Sequence, residues 1–206
     1  KNQKTFNGLM TVLGLIMEII MKAAVTGGIG SGKSYVCSLL KSRGIEVYDC
    51  DSAAKRIMRE SPSVRKALTD LIGQDAYADG KPDKAVISKF LLDAEDNKKR
   101  INAIVHPAVA DDFKASGLQF MECAILFESG FDKLVDCVVC VSAPIEVRVD
   151  RIIARDSITR EKAREWINCQ MSQEEMEAKS DFVILNDGSK PLEPQIDDVL
   201  AALRLR

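Results

Sequence analysis

Five short apolar segments, separated by polar or amphipathic stretches, dominate the hydrophobic pattern of the 206-residue chain. They are rich in β-branched residues, and most lack the alternation of a half-exposed strand, which is typical of parallel strands covered on both faces. Stretches with helical spacing lie between them, so the pattern predicts an α/β fold with a five-stranded parallel sheet. The predicted strands are residues 22–26, 45–48, 119–125, 136–142 and 181–185.

The intervals between the predicted strands differ greatly in length, which suggests how the domain is organised. Residues 52–116 form an interval too long for a simple crossover, so we expect an inserted helical subdomain there. Residues 146–179 are polar and helical in pattern, and they predict a lid. Within the insertion, helical spacing covers residues 52–60, 63–72, 84–92 and 95–114, with a polar loop at 73–83 and a break at His106 and Pro107. The sheet core would then comprise residues 21–51, 117–145 and 180–206 of a single domain.

Residues 1–20 are an N-terminal extension of unknown role. Lys1 and Lys4 would suit the charged end of a signal peptide, but no small-residue cleavage site follows. A membrane span would have to bury Glu18 or remain shorter than about 20 residues. We therefore expect the folded domain to begin near Met21.

The composition of the chain argues against a nucleic-acid-binding function. The chain is 46% hydrophobic with a net charge of −2, which indicates a globular protein without the basic surface of a nucleic-acid-binding protein. We accordingly expect neither a nucleic-acid nor a membrane partner. The six cysteines lie mostly in apolar runs, and Cys137 and Cys140 have no second pair for zinc, so buried reduced thiols in a cytoplasmic protein are the better interpretation.

Between the first predicted strand and the first helix, residues 27–34 (GGIGSGKS) fit the phosphate-loop pattern G-x-x-x-x-G-K-[ST]. A dinucleotide fingerprint would need glycine at position 33, and a merely flexible turn would not need the strand–loop–helix order. Lys33 would contact the β- and γ-phosphates, and the Ser34 hydroxyl would ligate Mg²⁺. We therefore predict that ATP binds to Gly28, Ile29, Gly30, Ser31, Gly32, Lys33, Ser34 and Tyr35.

Asp49 and Asp51 follow the second predicted strand two residues apart. A period of two directs both carboxylates to one side, towards the crevice of the phosphate loop. Asp51 would act as base for an acceptor hydroxyl, and Asp49 would orient Mg²⁺ through water. The alternative is that Asp51 only caps a helix that starts at Ser52.

Arg148, Arg151 and Arg155 have the spacing of one helix face just before the predicted lid. Three cations on one face suit phosphate groups and transition-state charge, so we assign catalytic roles to Arg151 and Arg155. The alternative is a solvated face paired with Glu146, Asp150 and Asp156. From the residues alone, His106 and Glu128 remain ambiguous.

Taken in order, these residues resemble the dephospho-coenzyme A kinase family of P-loop nucleotide kinases. The resemblance covers nearly everything from Met21 to the C-terminus, and the ordered set is far more specific than the phosphate loop alone. It rests on residues 26–34, Asp49-Cys-Asp51, residues 102–109, residues 126–130, Arg151-x-x-x-Arg155-Asp156, Gln170-x-Ser172 and residues 181–188.

The resemblance implies ATP- and Mg²⁺-dependent phosphorylation of the ribose 3′-hydroxyl of dephospho-coenzyme A, giving coenzyme A and ADP. Asp51 matches the family's proposed base, and Arg151 and Arg155 match its lid-side arginines. Residues 52–116 match the subdomain that binds the coenzyme A acceptor. The resemblance places His106, Pro107 and Glu128 with Asp51 at the acceptor, and Asn186 and Gly188 in a turn near the ATP adenine.

Five positions depart from the family pattern, whereas the phosphate loop, the aspartate pair and the arginine pair do not. The departures are Glu122 for Asp, Ala124 for Pro, Arg148 for Gln, Met176 for Lys or Arg, and Ser180 for Ala.

Other classes of P-loop protein fit the sequence less well. A nucleoside or nucleoside monophosphate kinase would share the loop but not the ordered set of motifs. A GTP-binding switch would need an N-K-x-D-like sequence, and an ABC-type motor would need its signature sequence. The sequence leaves open whether the protein is a monomer or a small homo-oligomer.

Overall fold

A computed structural model describes residues 21–203 of the chain, so the N-terminal extension and residues 204–206 lie outside the described part. A parallel sheet of five strands in the order β2-β5-β1-β6-β7 forms the centre of the domain, which confirms the predicted α/β class. Strands β3 and β4 form a separate antiparallel pair. The strands are β1 (Ala23–Thr26), β2 (Val47–Asp49), β3 (Tyr77–Ala78), β4 (Lys81–Pro82), β5 (Phe120–Glu122), β6 (Cys137–Ser142) and β7 (Phe182–Leu185).

The α-helices of residues 21–203 connect these strands, and none of them combines the length and the hydrophobicity needed to cross a bilayer. Short 3-10 turns follow α3 and α6, at Gln74–Ala76 and Phe131–Leu134. The helices are α1 (Lys33–Ser42), α2 (Cys50–Glu60), α3 (Pro62–Ile72), α4 (Lys84–Asp93), α5 (Asn97–Ser116), α6 (Leu126–Ser129), α7 (Ile145–Asp156), α8 (Arg160–Asn168), α9 (Gln173–Ala178) and α10 (Leu192–Ala202).

The sheet is buried between two apolar layers, as its near-continuous hydrophobic strands predict. On one face, Met121 packs with residues of α2, α3 and α5, including Leu68 and Phe113. On the other, Phe120 packs with α1 and α10, including Ile196. Because successive strand residues point to opposite faces, neighbouring residues of β5 contribute to different layers. A smaller apolar cluster, formed by Val149, Ile152, Ala163 and Ile167, joins α7 to α8.

The register of β5 brings the ends of three strands together. Glu122 pairs with Val25 of β1 and with Asp49 of β2. The carboxyl ends of β1, β2 and β5 therefore lie side by side at one edge of the sheet, which is where ligands bind in open α/β sheets. This edge carries the phosphate loop.

The predicted helix break at Pro107 was wrong, because α5 continues from Asn97 to Ser116 with Pro107 inside it. Proline removes the hydrogen bond to the carbonyl of Ala103, which lies on an exposed turn where water can replace it. On the opposite side, Val105 and Val109 are buried in the core at helical spacing. The apolar contacts on both sides of the proline hold the two halves in one helix.

The predicted polar loop at residues 73–83 contains the β3–β4 hairpin, which the sequence interpretation did not assign. Asp79 and Gly80 form its two-residue turn with positive φ angles of 50° and 74°, a conformation favoured by Asp-Gly pairs. The predicted lid is likewise not one helical stretch, because α8 and α9 are separated by residues 169–172.

Candidate active site

The phosphate loop connects β1 to α1, as its strand–loop–helix context predicts. Gly27, Gly30 and Gly32 have φ angles of 142°, 79° and 95°, which side chains other than glycine rarely tolerate. Gly32 also lacks room for a side chain, because a Cβ atom there would lie 2.1 Å from Nδ2 of Asn186. The loop therefore needs glycine both for its backbone conformation and for its close approach to the turn after β7.

Lys33 lies in the first turn of α1 and folds back over the loop. Its Nζ donates to the carbonyl oxygens of Gly27 at 2.8 Å and Gly28 at 3.3 Å. Burial lowers the pKa of Lys33, and the nearby carboxylates of Glu122 and Asp51 oppose that shift. The ammonium group of Lys33 is thus desolvated, lies near two carboxylates and contacts the phosphate loop.

Side chains from α7 and from the turn after β7 bind the other loop carbonyls. Nε of Arg148 donates to Ile29 at 2.9 Å. Nη1 of Arg151 donates to Gly30 at 3.3 Å and to Ser31 at 3.2 Å, and Nδ2 of Asn186 donates to Ser31 at 2.8 Å. In a trans peptide the C=O and N–H groups point in opposite directions. Donors that bind the loop carbonyls on one side therefore turn loop N–H groups towards the opposite side, where an anion would bind.

A cavity of about 530 Å³ opens over this loop at the carboxyl edge of the sheet. Every residue to which the sequence assigned catalysis lines it, together with both predicted metal-site residues. The aspartates after β2, the phosphate loop and the arginines of α7 thus meet at one place. The lining residues are Ile29, Gly30, Gly32, Lys33, Ser34, Asp49, Asp51, Glu122, Ala124, Arg151, Ile152, Arg155 and Gln170.

The two aspartates after β2 have different surroundings. Asp49 is the N-cap of α2, and its carboxylate accepts hydrogen bonds from the Ser52 N–H at 2.9 Å and hydroxyl at 2.7 Å. Desolvation raises the pKa of Asp49, but the hydrogen bonds from Ser52 outweigh it and the net shift is downward. Asp51 lies exposed in the first turn of α2. The alternative in which Asp51 caps the helix is therefore wrong, because the cap is Asp49 and the helix begins at Cys50.

Oxygen atoms suited to a divalent cation gather next to Ser34. Its hydroxyl donates to Oε1 of Glu122 at 3.2 Å, and the carboxylates of Asp49 and Asp51 line the same cavity. Mg²⁺ prefers oxygen ligands and is commonly held by one or two carboxylates with substrate phosphates and water. Residues 21–203 contain no group of three or more His, Cys, Asp or Glu side chains arranged to hold a metal by themselves. These residues fit a magnesium ion that shares its ligands with a phosphate.

The three arginines of α7 do not act as one solvated face. Arg148 is buried with 3% of its surface exposed, whereas Arg155 is exposed and pairs with Asp156 at 2.7 Å. The hydrogen bonds that Arg155 donates to the Asp156 carboxylate raise the pKa of Arg155. The acidic residues expected to pair with this face mostly have other partners, since Glu146 and Asp150 bind arginines of α8.

Several predicted site residues do not line the cavity over the phosphate loop. Tyr35 is 57% exposed at the start of α1, and Gly188 lies in the turn after β7. His106 is half-buried in α5, edge-on to Phe131 with ring centroids 5.5 Å apart, and burial lowers its pKa. Pro107 and Glu128 are exposed on α5 and α6. The acceptor-binding assignments of His106, Pro107 and Glu128 stay predictions.

Two polar residues line the cavity without having been assigned a role by the sequence interpretation. Glu122 lies inside the predicted strand 119–125, whereas β5 ends at Glu122, and only the strand order places it between β1 and β2. Gln170, in the segment between α8 and α9, accepts a hydrogen bond from the Ile29 N–H at 2.7 Å. The segment that was predicted as a lid therefore contacts the phosphate loop directly.

A family model described as dephospho-CoA kinase matches residues 21–191. The chain belongs to this family. A dephospho-CoA kinase of Bacteroides fragilis is 41% identical, with 89% of this chain and 93% of the relative covered. One of Porphyromonas gingivalis is 39% identical, with 88% and 94% covered.

Solved structures share the fold of this chain. The Thermus thermophilus protein TT1252 superposes with a TM-score of 0.77 at 32% identity, covering 89% of this chain and 97% of that one. A dephospho-CoA kinase from Campylobacter jejuni has a TM-score of 0.63 at 21% identity with the same coverage. A shikimate kinase from Acinetobacter baumannii reaches 0.53 at 14% identity, covering 92% and 96%. The last two show that the fold is shared.

Proposed function

We propose that this chain transfers the γ-phosphoryl group of ATP to the ribose 3′-hydroxyl of dephospho-coenzyme A, giving coenzyme A and ADP. The observation that carries the proposal is the cavity in which a phosphate loop, Lys33 and the Asp51 carboxylate meet. The loop favours a nucleoside triphosphate as donor, and a carboxylate across the cavity favours a hydroxyl acceptor. The names of the family and of its relatives support dephospho-coenzyme A as that acceptor.

Catalysis in this proposal is mainly positioning and charge stabilisation, as in other phosphoryl transfers. The phosphates enter over the loop, and Lys33 exchanges its bonds to the carbonyls of Gly27 and Gly28 for phosphate oxygens. Arg151 and Arg155 face the transferring group and offset its charge. Asp51 accepts the proton of the acceptor hydroxyl, which makes the oxygen a better nucleophile.

The oxygen atoms of Ser34, Asp49 and Glu122 would hold Mg²⁺ together with the phosphates. When bound, the ion supplies charge neutralisation at the β- and γ-phosphates. The capping bonds from Ser52 leave Asp49 ionised, because they lower its pKa. This role of Asp49 is compatible with binding through water, as the sequence predicts.

The remaining assignments concern the acceptor and the domain divisions. Residues 52–116, with His106 and Pro107, would bind the coenzyme A moiety together with Glu128 of α6. Residues 146–179 would serve as the lid. Asn186 and Gly188 would lie near the adenine, which is supported by the contact between Asn186 and the phosphate loop. The full chain would act as a monomer or a small homo-oligomer.

A panel of acceptors tests the proposal. The protein is incubated with MgATP and, in separate reactions, dephospho-coenzyme A, AMP, adenosine, shikimate or water, and ADP and the products are measured. We expect ADP only with dephospho-coenzyme A, with the new phosphate at the 3′-position by phosphorus NMR. Lys33→Ala should abolish transfer because it removes the cation that follows the charge on the phosphates. Preference for AMP or adenosine, or hydrolysis without transfer, would refute the proposal.

A further inference from the structure

Arg148 is a buried cation, on which the carboxylate of Glu174 acts without forming an ion pair. Its surface is 3% exposed, and no carboxylate of residues 21–203 forms an ion pair with it. Nε donates to the carbonyl of Ile29 at 2.9 Å, and Nη1 reaches Oε1 of Gln173 only at 3.5 Å. Nη2 is fully buried and has no hydrogen-bond partner in the described part of the chain. Desolvation of such a charge is unfavourable unless another interaction offsets it.

The guanidinium lies directly against the phosphate loop. A Cβ atom on Gly28 would be 2.2 Å from Nη2 of Arg148, so the glycine leaves the space that the guanidinium occupies. A Cβ atom on Gly30 would be 2.6 Å from the carbonyl oxygen of Arg148, so the backbone of α7 also touches the loop. Arg148 is close enough to Lys33 to contribute to the lowering of its pKa.

We propose that Arg148 is a positioning residue of the nucleotide site, which holds the Ile29 peptide and places a fixed positive charge behind the phosphate loop. The hydrogen bond to Ile29 keeps that carbonyl turned away from the triphosphate, and the charge is compensated when the triphosphate binds on the other side. This inference rests on ATP binding within the proposed function and not on the identity of the acceptor. Glutamine, which the family often has at this position, can donate a hydrogen bond but has no charge.

The proposal predicts opposite effects of Arg148→Gln on nucleotide binding and on stability. The dissociation constant of a non-hydrolysable ATP analogue should rise about 10- to 100-fold, because the attraction between a desolvated positive charge and the triphosphate across the loop is lost. The melting temperature of the ligand-free protein should stay unchanged or rise, because a desolvated, unpaired charge is removed. Arg148→Lys should recover part of the affinity because it retains the charge.

Calorimetric titration and thermal denaturation, each with the analogue and without acceptor, test these effects. Arg160→Gln is the matched control: it removes one positive charge from α8, where Arg160 pairs with Glu146 and Asp150, and it should leave the affinity unaltered. A lower melting temperature with wild-type affinity in Arg148→Gln would make Arg148 a packing residue and overturn the proposal. Should Arg148→Gln not fold, weaker binding by a folded Arg148→Lys supports the proposal, and wild-type binding by it overturns it. Failure of the acceptor panel would refute the proposed function alone, because analogue binding needs no acceptor.

Discussion

Replacement of Asp51 by Asn should separate chemistry from folding. Asp51 lines the cavity beside Lys33, and asparagine keeps its size but cannot take a proton from the acceptor hydroxyl. We expect the transfer rate to fall about 10²–10⁴-fold, the usual contribution of a general base. At 1.36 kcal/mol for each factor of ten, that fall is about 2.7–5.4 kcal/mol in activation free energy.

The effect of Asp51→Asn on stability should be much smaller, because Asp49 rather than Asp51 caps α2. A carboxylate in the first turn of a helix stabilises it by about 0.3–1 kcal/mol. Since about 1 kcal/mol changes the melting temperature of a domain of this size by roughly 2–4 °C, the loss should not exceed about 4 °C. Affinity for an ATP analogue should change little, because the phosphate loop is untouched.

Variants of Asp49 provide the matched comparison. Asp49→Ala removes the acceptor of both hydrogen bonds from Ser52 and should cost about 0.5–2 kcal/mol of stability. Asp49→Asn keeps a capping oxygen, so it should unfold close to the wild-type temperature. Transfer rate, analogue affinity and melting temperature are measured on the same preparation of each variant.

Two outcomes would refute this reasoning. A transfer rate of Asp51→Asn within about threefold of wild type, far less than a general base contributes, would mean that Asp51 does not accept the proton. Equal melting temperatures for Asp49→Ala and Asp49→Asn would mean that the capping bonds do not stabilise α2.

Two further predictions concern the loop and the insertion. Gly32→Ala should abolish binding of the ATP analogue in calorimetric titrations, because its Cβ would strike Asn186. Gly44→Ala is the control, since Gly44 also has a positive φ angle but nothing lies within 4 Å of the position that a Cβ atom would take there. It should lower the melting temperature and leave the affinity unchanged. Burial lowers the pKa of His106, so the unfolded chain binds more protons as the pH falls through about 6.5 and stability should decline there. Urea denaturation between pH 8 and pH 5 should show a smaller decline in His106→Gln, and an identical decline would assign it to other groups.

The features that follow from local sequence were predictable. The phosphate loop has a fixed spacing and needs glycine at particular backbone conformations, and each strand of the main sheet overlaps a predicted apolar segment. The shared cavity of Lys33, Asp51 and Arg155 agrees with the expectation that carboxyl ends of parallel strands face one crevice. The roles of these residues stay predictions.

Features that depend on tertiary packing were not predictable. Arg148 has the same helix-face pattern as Arg151 and Arg155, and only the position of the loop against α7 explains its burial. Glu122 lies in the site because β5 is inserted between β1 and β2, and no local sequence pattern specifies that strand order. At Pro107 the local rule for proline gave the wrong result, because buried contacts of α5 outweigh one lost hydrogen bond. Asp79-Gly80 was a recognisable hairpin signal, but strands of two residues are too short to show alternation.

The insertion of β5 between β1 and β2 has a consequence for synthesis of the chain on the ribosome. β1 and β2 follow each other in sequence but do not pair, and residues 50–119 must emerge before β5 can join them. Closing so long a segment has an entropic cost that only the later strand pairing offsets. A nascent chain that ends before Phe120 therefore exposes unpaired edges of two apolar strands, and it is in this interval that a chaperone would protect it.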